Sequence, residues 1–179
     1  MAPLRSDAAR NHARILDAAR SLAGNGEPLA LNAVARAAEV GVGTVYRHFA
    51  TTSELEETLV WDRFDDLAEI LDSTGPDHLE RALTAVFTLL AQDPVFEAVT
   101  SRPQPALEQT AARQQELLER LAQVLDHTRA AGALKEGIDA PAVLMLMCGL
   151  AHSVRNNGVD AGGPQARMLL RVVFDGLRP

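Results

Sequence analysis

The stretch AEVGVGTVYRHF, Ala38 to Phe49, decides how the chain is read, because it has the form of a turn followed by a short helix. Val42, Val45, Tyr46 and Phe49 stand at i, i+3, i+4 and i+7, the spacing that gathers one helical face against a core. Thr44, Arg47, His48 and Thr51 repeat at the same spacing on the other face. One stripe anchors the helix while the other offers hydroxyl, guanidinium and imidazole groups, the donors that phosphates and base edges accept. This pattern implies a helix that touches nucleic acid.

Two further helices lie upstream at the lengths a three-helix unit needs. Residues 9 to 24 place Ile15, Leu16, Ala19, Leu22 and Ala23 on one stripe, and Gly24-Asn25-Gly26-Glu27-Pro28 ends it. A second helix runs from about Leu31 to Ala38, with Val34, Ala35 and Ala38 inward and Arg36 outward. A turn at Glu39 to Val42 then completes a helix-turn-helix arrangement.

ILDAARSLAGNG, then LNAVARAAEVGVGTVYRHF, then a helix starting at TTSELEETL together resemble the N-terminal domain of TetR-family transcriptional regulators. The resemblance is detailed over the N-terminal part and holds in outline over the helical remainder. It implies an all-α protein with a three-helix headpiece in residues 1–50 and a helical ligand-binding and dimerisation domain in residues 51–179. Residues 51–74 would form the linking helix. It also implies a homodimer on a palindromic double-stranded DNA operator, with the two third helices in successive major grooves about 34 to 36 Å apart. Repression would follow by occlusion of the promoter and be relieved by a ligand, although activators share the architecture.

Carried over position by position, the resemblance implies that Thr44, Tyr46 and His48 touch the DNA backbone and that Gly43 lets the helix N-terminus approach it. Arg47 is the candidate for reading a base, since a guanidinium grips guanine O6 and N7 with two parallel bonds. Asn32 and Thr52 complete the DNA-facing set. Three positions depart from the family pattern. Thr52 stands where a lysine is frequent, which removes a charged phosphate contact and weakens the expected salt dependence. Glu39 replaces a turn glycine, with a backbone cost that glycine avoids and a carboxylate near DNA. Ala30 replaces a capping Ser or Thr, leaving Asn32 or water to satisfy the amides of the second helix.

The charge distribution agrees with this division. The 179 residues carry a net charge of −7, which argues against non-specific coating of DNA. The charge is uneven, with six arginines against four acids in residues 1–50 and eleven basic against twenty acidic residues in 51–179. The positive end would face DNA. One cysteine cannot form an internal disulfide, no apolar run has the length of a membrane span, and no signal peptide is recognisable, so a cytoplasmic location without membrane contact is expected. The first eight or so residues read as a disordered tail.

Beyond the headpiece, Thr51 to about Ser73 reads as one long helix capped by Thr52 or Ser53, with Glu54, Glu56 and Glu57 in its first turn. Thr74-Gly75-Pro76-Asp77 breaks the chain, His78 to Gln92 is amphipathic, and Asp93-Pro94 opens a short helix holding Phe96 and Val99. Pro105 to Ala131 is a long helix ended by Gly132. Ala142 to Val154 is apolar almost all round, and Met168 to Leu177 carries a broad apolar stripe. In a body this small a second subunit is the simplest cover for such helices. Met147, Leu150, Val154, Leu169, Val172 and Val173 are the expected interface residues of a four-helix dimer contact.

For the small-molecule site the candidates are Trp61, Phe64, Phe87, Phe96, Met145, Cys148 and His152, which facing helices could bring together. With few charged groups among them, an apolar ligand is expected, with no cofactor and no metal. An ordinary packed core is the structural alternative. As an enzyme the chain has little to offer, since it lacks HExxH, GxSxG, a phosphate-cradling glycine loop and a CxxC pair. Cys148 and His152 alone could form a nucleophile and base, but at i, i+4 on an apolar helix the pair reads as packing. A DNA-binding regulator that takes no ligand is the remaining alternative.

Overall fold

The computed structural model describes residues 3–73 and 78–179, with the side chains of residues 3–6 outside the description. The described residues form ten helices and no strand. They divide into two compact units. The N-terminal unit comprises residues 1–60 together with 105–107, and the C-terminal unit comprises residues 61–104 and 108–179.

In the N-terminal unit α1 (Pro3–Gly24), α2 (Leu31–Ala37), α3 (Val42–His48) and α4 (Thr52–Leu59) surround a core of Ile15, Ala19, Val34, Ala35, Val45, Phe49 and Leu55. The helix α1 starts at Pro3, so most of the expected tail is helical; Met1 and Ala2 lie outside the described residues. It stops where Gly26 adopts φ 73°, letting the amides of Gly26 and Glu27 return to the carbonyls of Ala23 and Leu22. The cap of α4 is Thr51, not Thr52 or Ser53. Thr51 Oγ1 accepts from Glu54 N at 3.1 Å while Glu54 Oε2 accepts from Ala50 N at 2.7 Å, a reciprocal pair that satisfies two amides at once.

The single helix expected over 51–73 is two helices. Val60, at φ −108° and ψ 6°, leaves the helical region between α4 and α5 (Trp61–Asp72), and the division between the compact units falls at this break. An unbroken apolar and acidic run carries no glycine or proline to announce it. The expected break at residues 74–77 lies outside the described residues.

The C-terminal unit adds α6 (His78–Gln92), α7 (Pro94–Thr100), α8 (Glu108–Ala130), α9 (Ala140–Asn156) and α10 (Pro164–Leu177). Its main layers are α6 on α9 and α5 on α8, with α7 packed against both α6 and α9. Asp93 and Asp139 cap α7 and α9 through bonds from Phe96 N and Ala142 N, and a proline follows each cap at a helix start where no amide is needed. The helix α10 docks lightly. Ala166, Leu170 and Leu177 are its buried residues, and Lys135 ties its end through Leu177 O and Gly176 O, both at 2.9 Å. Among the described residues no single helix is long and apolar enough to cross a membrane; α6 and α7 pass that test only as a pair bent by 114°.

Candidate DNA-binding surface

The helix α3 has two turns, and only Val45 and Phe49 of its expected anchor stripe are buried. Val42 is 43% exposed and Tyr46 51%, so neither serves the core. A seven-residue helix meets its unit along a strip too narrow for four side chains, and the ring of Tyr46 consequently stands outward with its hydroxyl. The outward face thus presents Gly43, Tyr46 and Arg47, with Thr44 half-buried beside them. Arg47 folds back on its own helix, donating from Nε to Gly43 O at 3.1 Å and from Nη2 to Thr44 Oγ1 at 3.0 Å. These exposed bonds are readily exchanged for bonds to a partner. Nothing inside the unit requires glycine at 43, since an added Cβ would meet no atom within 4 Å.

Two of the other DNA candidates, Asn32 and Thr52, sit at helix starts, and His48 ends α3. Asn32 is exposed in the first turn of α2 and makes no capping bond, leaving Ala30 O to take Ala33 N and Val34 N at 2.9 and 3.0 Å. Thr52 is half-buried as the first residue of α4. His48 is half-buried too, with its ring edge-on to His12 at 5.5 Å and tilted against Phe49 at 6.4 Å, so packing holds it as well as any external contact.

Sequence reasoning missed His12 on α1. Its ring stacks on Phe49 at 5.4 Å, and burial, followed by the neighbouring His48, holds its pKa below the usual 6.5. With the folded value depressed, the folded protein binds fewer protons than the unfolded chain just below pH 6.5. Its stabilising contribution is complete above that value and is lost as pH falls toward the folded pKa. Thermal stability should therefore fall between about pH 7.5 and about pH 5.5, and by less in a His12→Gln variant. Equal losses in both proteins, measured by thermal denaturation, would contradict this assignment.

The turn before α3 is a Schellman motif with an unusual residue. Val40 N bonds Ala35 O at 3.0 Å and Glu39 N bonds Arg36 O at 3.1 Å, closing α2 around Glu39 at φ 52°. Glu39 is the only non-glycine residue with positive φ among those described, as its replacement of a glycine implied. Arg14 Nη2, on α1, reaches the carbonyls of Ala38 at 2.7 Å and Glu39 at 3.3 Å.

In the C-terminal unit the seven ligand candidates do not converge on one cavity. Phe64, Phe87, Phe96 and Cys148 are core residues, with Phe64 edge-on to Phe96 at 5.0 Å. Trp61 is half-buried, its indole N–H donating to Thr110 Oγ1 at 3.0 Å. Met145, at 74% exposure, and His152 point outward from α9. For Met145, Cys148 and His152 the apolar helix α9 gives no phase from which to choose the inward face. A cleft of about 560 Å³ lies instead among residues of α5, α6 and α8, with Leu71, Leu79 and Val124 as apolar lining and His78, His127 and Arg178 as polar lining. Among the described residues no hydrogen-bond partner meets His78 Nε2, which is buried there.

Two interface candidates need the same correction. Met147 and Val154 are already covered inside the protomer, at 0% and 2% exposure. The large apolar residues left outward are Met145 and Leu146 on α9 and Met168 and Val172 on α10; Leu150, Leu169 and Val173 are half-buried. The thiol of Cys148 is pushed up to about 11, first by burial and then by the Glu97 carboxylate. It stays protonated near neutral pH, the unreactive form of a thiol. His152 Nδ1 lies 3.3 Å from Glu97 Oε2, which also takes Arg155 Nη2 at 2.6 Å.

Comparison with family models matches residues 15–58 to the bacterial regulatory proteins of the tetR family and residues 77–179 to the C-terminal domain of SbtR-like transcriptional regulators. No curated protein sequence matches the chain. Among solved structures, the TetR transcription regulatory protein from Mycobacterium vanbaalenii is 27% identical, with 99% of this chain and 100% of that one covered and a TM-score of 0.50. A TetR-family member from Streptomyces coelicolor is 21% identical over 92% of this chain and 91% of its own, with a TM-score of 0.62. The transcriptional regulator FadR from Bacillus subtilis, in complex with stearoyl-CoA, is 19% identical over 92% and 96% of the two chains, with a TM-score of 0.57.

Proposed function

The chain belongs to the TetR family of bacterial transcriptional regulators, and from that membership we propose that it is a ligand-responsive repressor which binds a palindromic operator as a homodimer. The observation that carries the DNA-reading part is the split of α3 and its C-cap, where Val45 and Phe49 are buried while Tyr46 and Arg47 are exposed. In this reading Arg47 leaves Gly43 O and Thr44 Oγ1 to grip a guanine. Tyr46, Thr44 and His48 hold the backbone, with Asn32 and Thr52 at its flanks. Residues 1–50, with Thr52 just beyond them, carry this role, and residues 51–179 carry dimerisation and ligand binding, in the cytoplasm.

The dimer contact we propose is the outward face of α9 and α10, where Met145, Leu146, Met168 and Val172 are exposed together with the lightly docked α10. Apolar surface of this kind marks an association site. The ligand is a small molecule with an apolar body, seated in the cleft beside Leu71, Leu79 and Val124, where His78 Nε2 could take one polar bond. Its occupancy would favour the free form by its differential affinity for the two states. The solid packing of Phe64, Phe87 and Phe96 favours a second reading, a regulator that takes no ligand. A thermal-shift screen of apolar and ionic compounds separates the two: stabilisation by apolar compounds that also release DNA supports the first, and none the second.

The base-reading role is tested by Arg47→Ala. The variant should lose operator affinity by about tenfold to a hundredfold, the equivalent of one bidentate contact, while binding to random duplex falls by much less. Equal losses on both DNAs in a titration at fixed salt would remove Arg47 from base reading.

A further inference from the structure

The α2–α3 turn is built on a residue poorly suited to it. A left-handed conformation at a residue with a Cβ is disfavoured, and Glu39 holds φ 52° at the C′ position where glycine is the usual occupant. The Schellman bonds consume the carbonyls of Ala35 and Arg36, and Ala38 N takes Val34 O at 2.8 Å. The carbonyls of Ala38 and Glu39 remain, at the negative end of α2. Arg14 supplies what they need: one guanidinium nitrogen donates to Ala38 O at 2.7 Å and to Glu39 O at 3.3 Å. A positive charge at a helix C-terminus is also favourable to the helix dipole. The carboxylate of Glu39 contributes little to this contact, being 3.8 Å from the same nitrogen and 87% exposed.

We propose that Arg14 is a positioning residue for DNA recognition: it clamps the strained Glu39 turn from α1 and thereby fixes the direction in which α3 leaves it. Gly41 caps α3 two residues after Glu39, so a small rotation at Glu39 swings the whole recognition helix. Arg14 reaches the turn across 24 residues of sequence, and its backbone bond ties α1 to the end of α2. The glycine that the turn lacks is replaced by a guanidinium elsewhere in the fold. This inference rests on the reading of α3 as a sequence-reading helix. It predicts a defect in geometry, not a loss of one phosphate contact.

A double-mutant cycle in the full chain tests it, with Arg14→Met, Glu39→Gly and both together. Three quantities are measured: affinity for a selected operator, affinity for random duplex at two salt concentrations, and amide hydrogen exchange across residues 39–45. Arg14→Met should accelerate exchange in the turn and weaken the operator complex by about tenfold, the scale of one charge-assisted bond, with the salt slope unchanged. Glu39→Gly should restore most of both, because glycine holds the turn without the clamp. Arg14→Lys, which keeps the charge and one donor, should fall between the wild type and Arg14→Met.

Equal losses on operator and random DNA with a shallower salt slope would make Arg14 a phosphate contact and overturn the proposal. Unchanged exchange in the turn, or a defect that Glu39→Gly leaves in full, would overturn it as well. Should the wild type show no preference between operator and random DNA, the proposed function fails, and the exchange cycle still decides whether Arg14 clamps the turn.

Discussion

Val172→Asp is expected to convert a dimer into a monomer that keeps its helices. Val172 is 63% exposed in the protomer, so an aspartate there is solvated and disturbs no core contact. The anchoring side of α10, with Ala166, Leu170 and Leu177, is untouched. Across a two-fold interface the substitution counts twice. Each carboxylate is taken from water into an apolar surface, and two like charges are brought toward one another. A dissociation constant raised by about a hundredfold or more follows from a penalty of a few kcal/mol. Operator affinity should fall further than for any single headpiece substitution, because one headpiece reads only a half-site. Sedimentation over a concentration series, with circular dichroism as the folding control, gives the result. A variant that stays dimeric would exclude the α9 and α10 face as the interface.

The second large effect belongs to Glu57. Its side chain is completely buried in the N-terminal unit, and its two oxygens accept from the amides of Ala106 and Leu107 at 2.8 and 2.9 Å. These bonds hold segment 105–107, the stretch just before α8, within that unit although the residues on both sides of it belong to the C-terminal unit. Glu57→Ala would remove both acceptors and leave two amides and a cavity, at a cost of about 3 kcal/mol or more. Glu57→Gln keeps the volume but retains one carbonyl acceptor and adds an amide donor facing a donor. It should cost about 2 kcal/mol. Urea denaturation at neutral pH measures both values. A Glu57→Gln variant as stable as the wild type would mean that the charge and the second acceptor contribute nothing.

Much of the fold was legible because periodicity and punctuation agree. The stripe of α1 ends at a glycine that takes positive φ, α6 has the bounds its sequence implies, and the missing turn glycine appears as a left-handed Glu39. Legibility stopped where the deciding partner is distant. Glu57 looks like an ordinary acid early in a helix, and its partners lie 49 and 50 residues away. Arg14 sits beside Ile15 on α1 with nothing nearby to show that it serves the turn. Tyr46 has the right spacing for the core but too short a helix to be covered.

The apolar helices failed differently. In α9 nearly every position is apolar, so spacing cannot distinguish Met147, which is buried, from Met145, which is exposed. A hydrophobic stripe carries a phase only when polar residues mark its edges. Among the ligand candidates, choosing residues by type gathered the buried Phe64, Phe87, Phe96 and Cys148 together with the exposed Met145 and His152.

Selection of bound duplexes from a random DNA pool by the purified protein tests the central claim most directly. An enriched inverted repeat is expected, with half-sites centred about one helical turn, or a multiple of it, apart. The enrichment should vanish with Arg47→Ala. An enriched motif without two-fold symmetry, or salt-sensitive binding with no enrichment, would contradict a homodimer that reads a palindrome through α3.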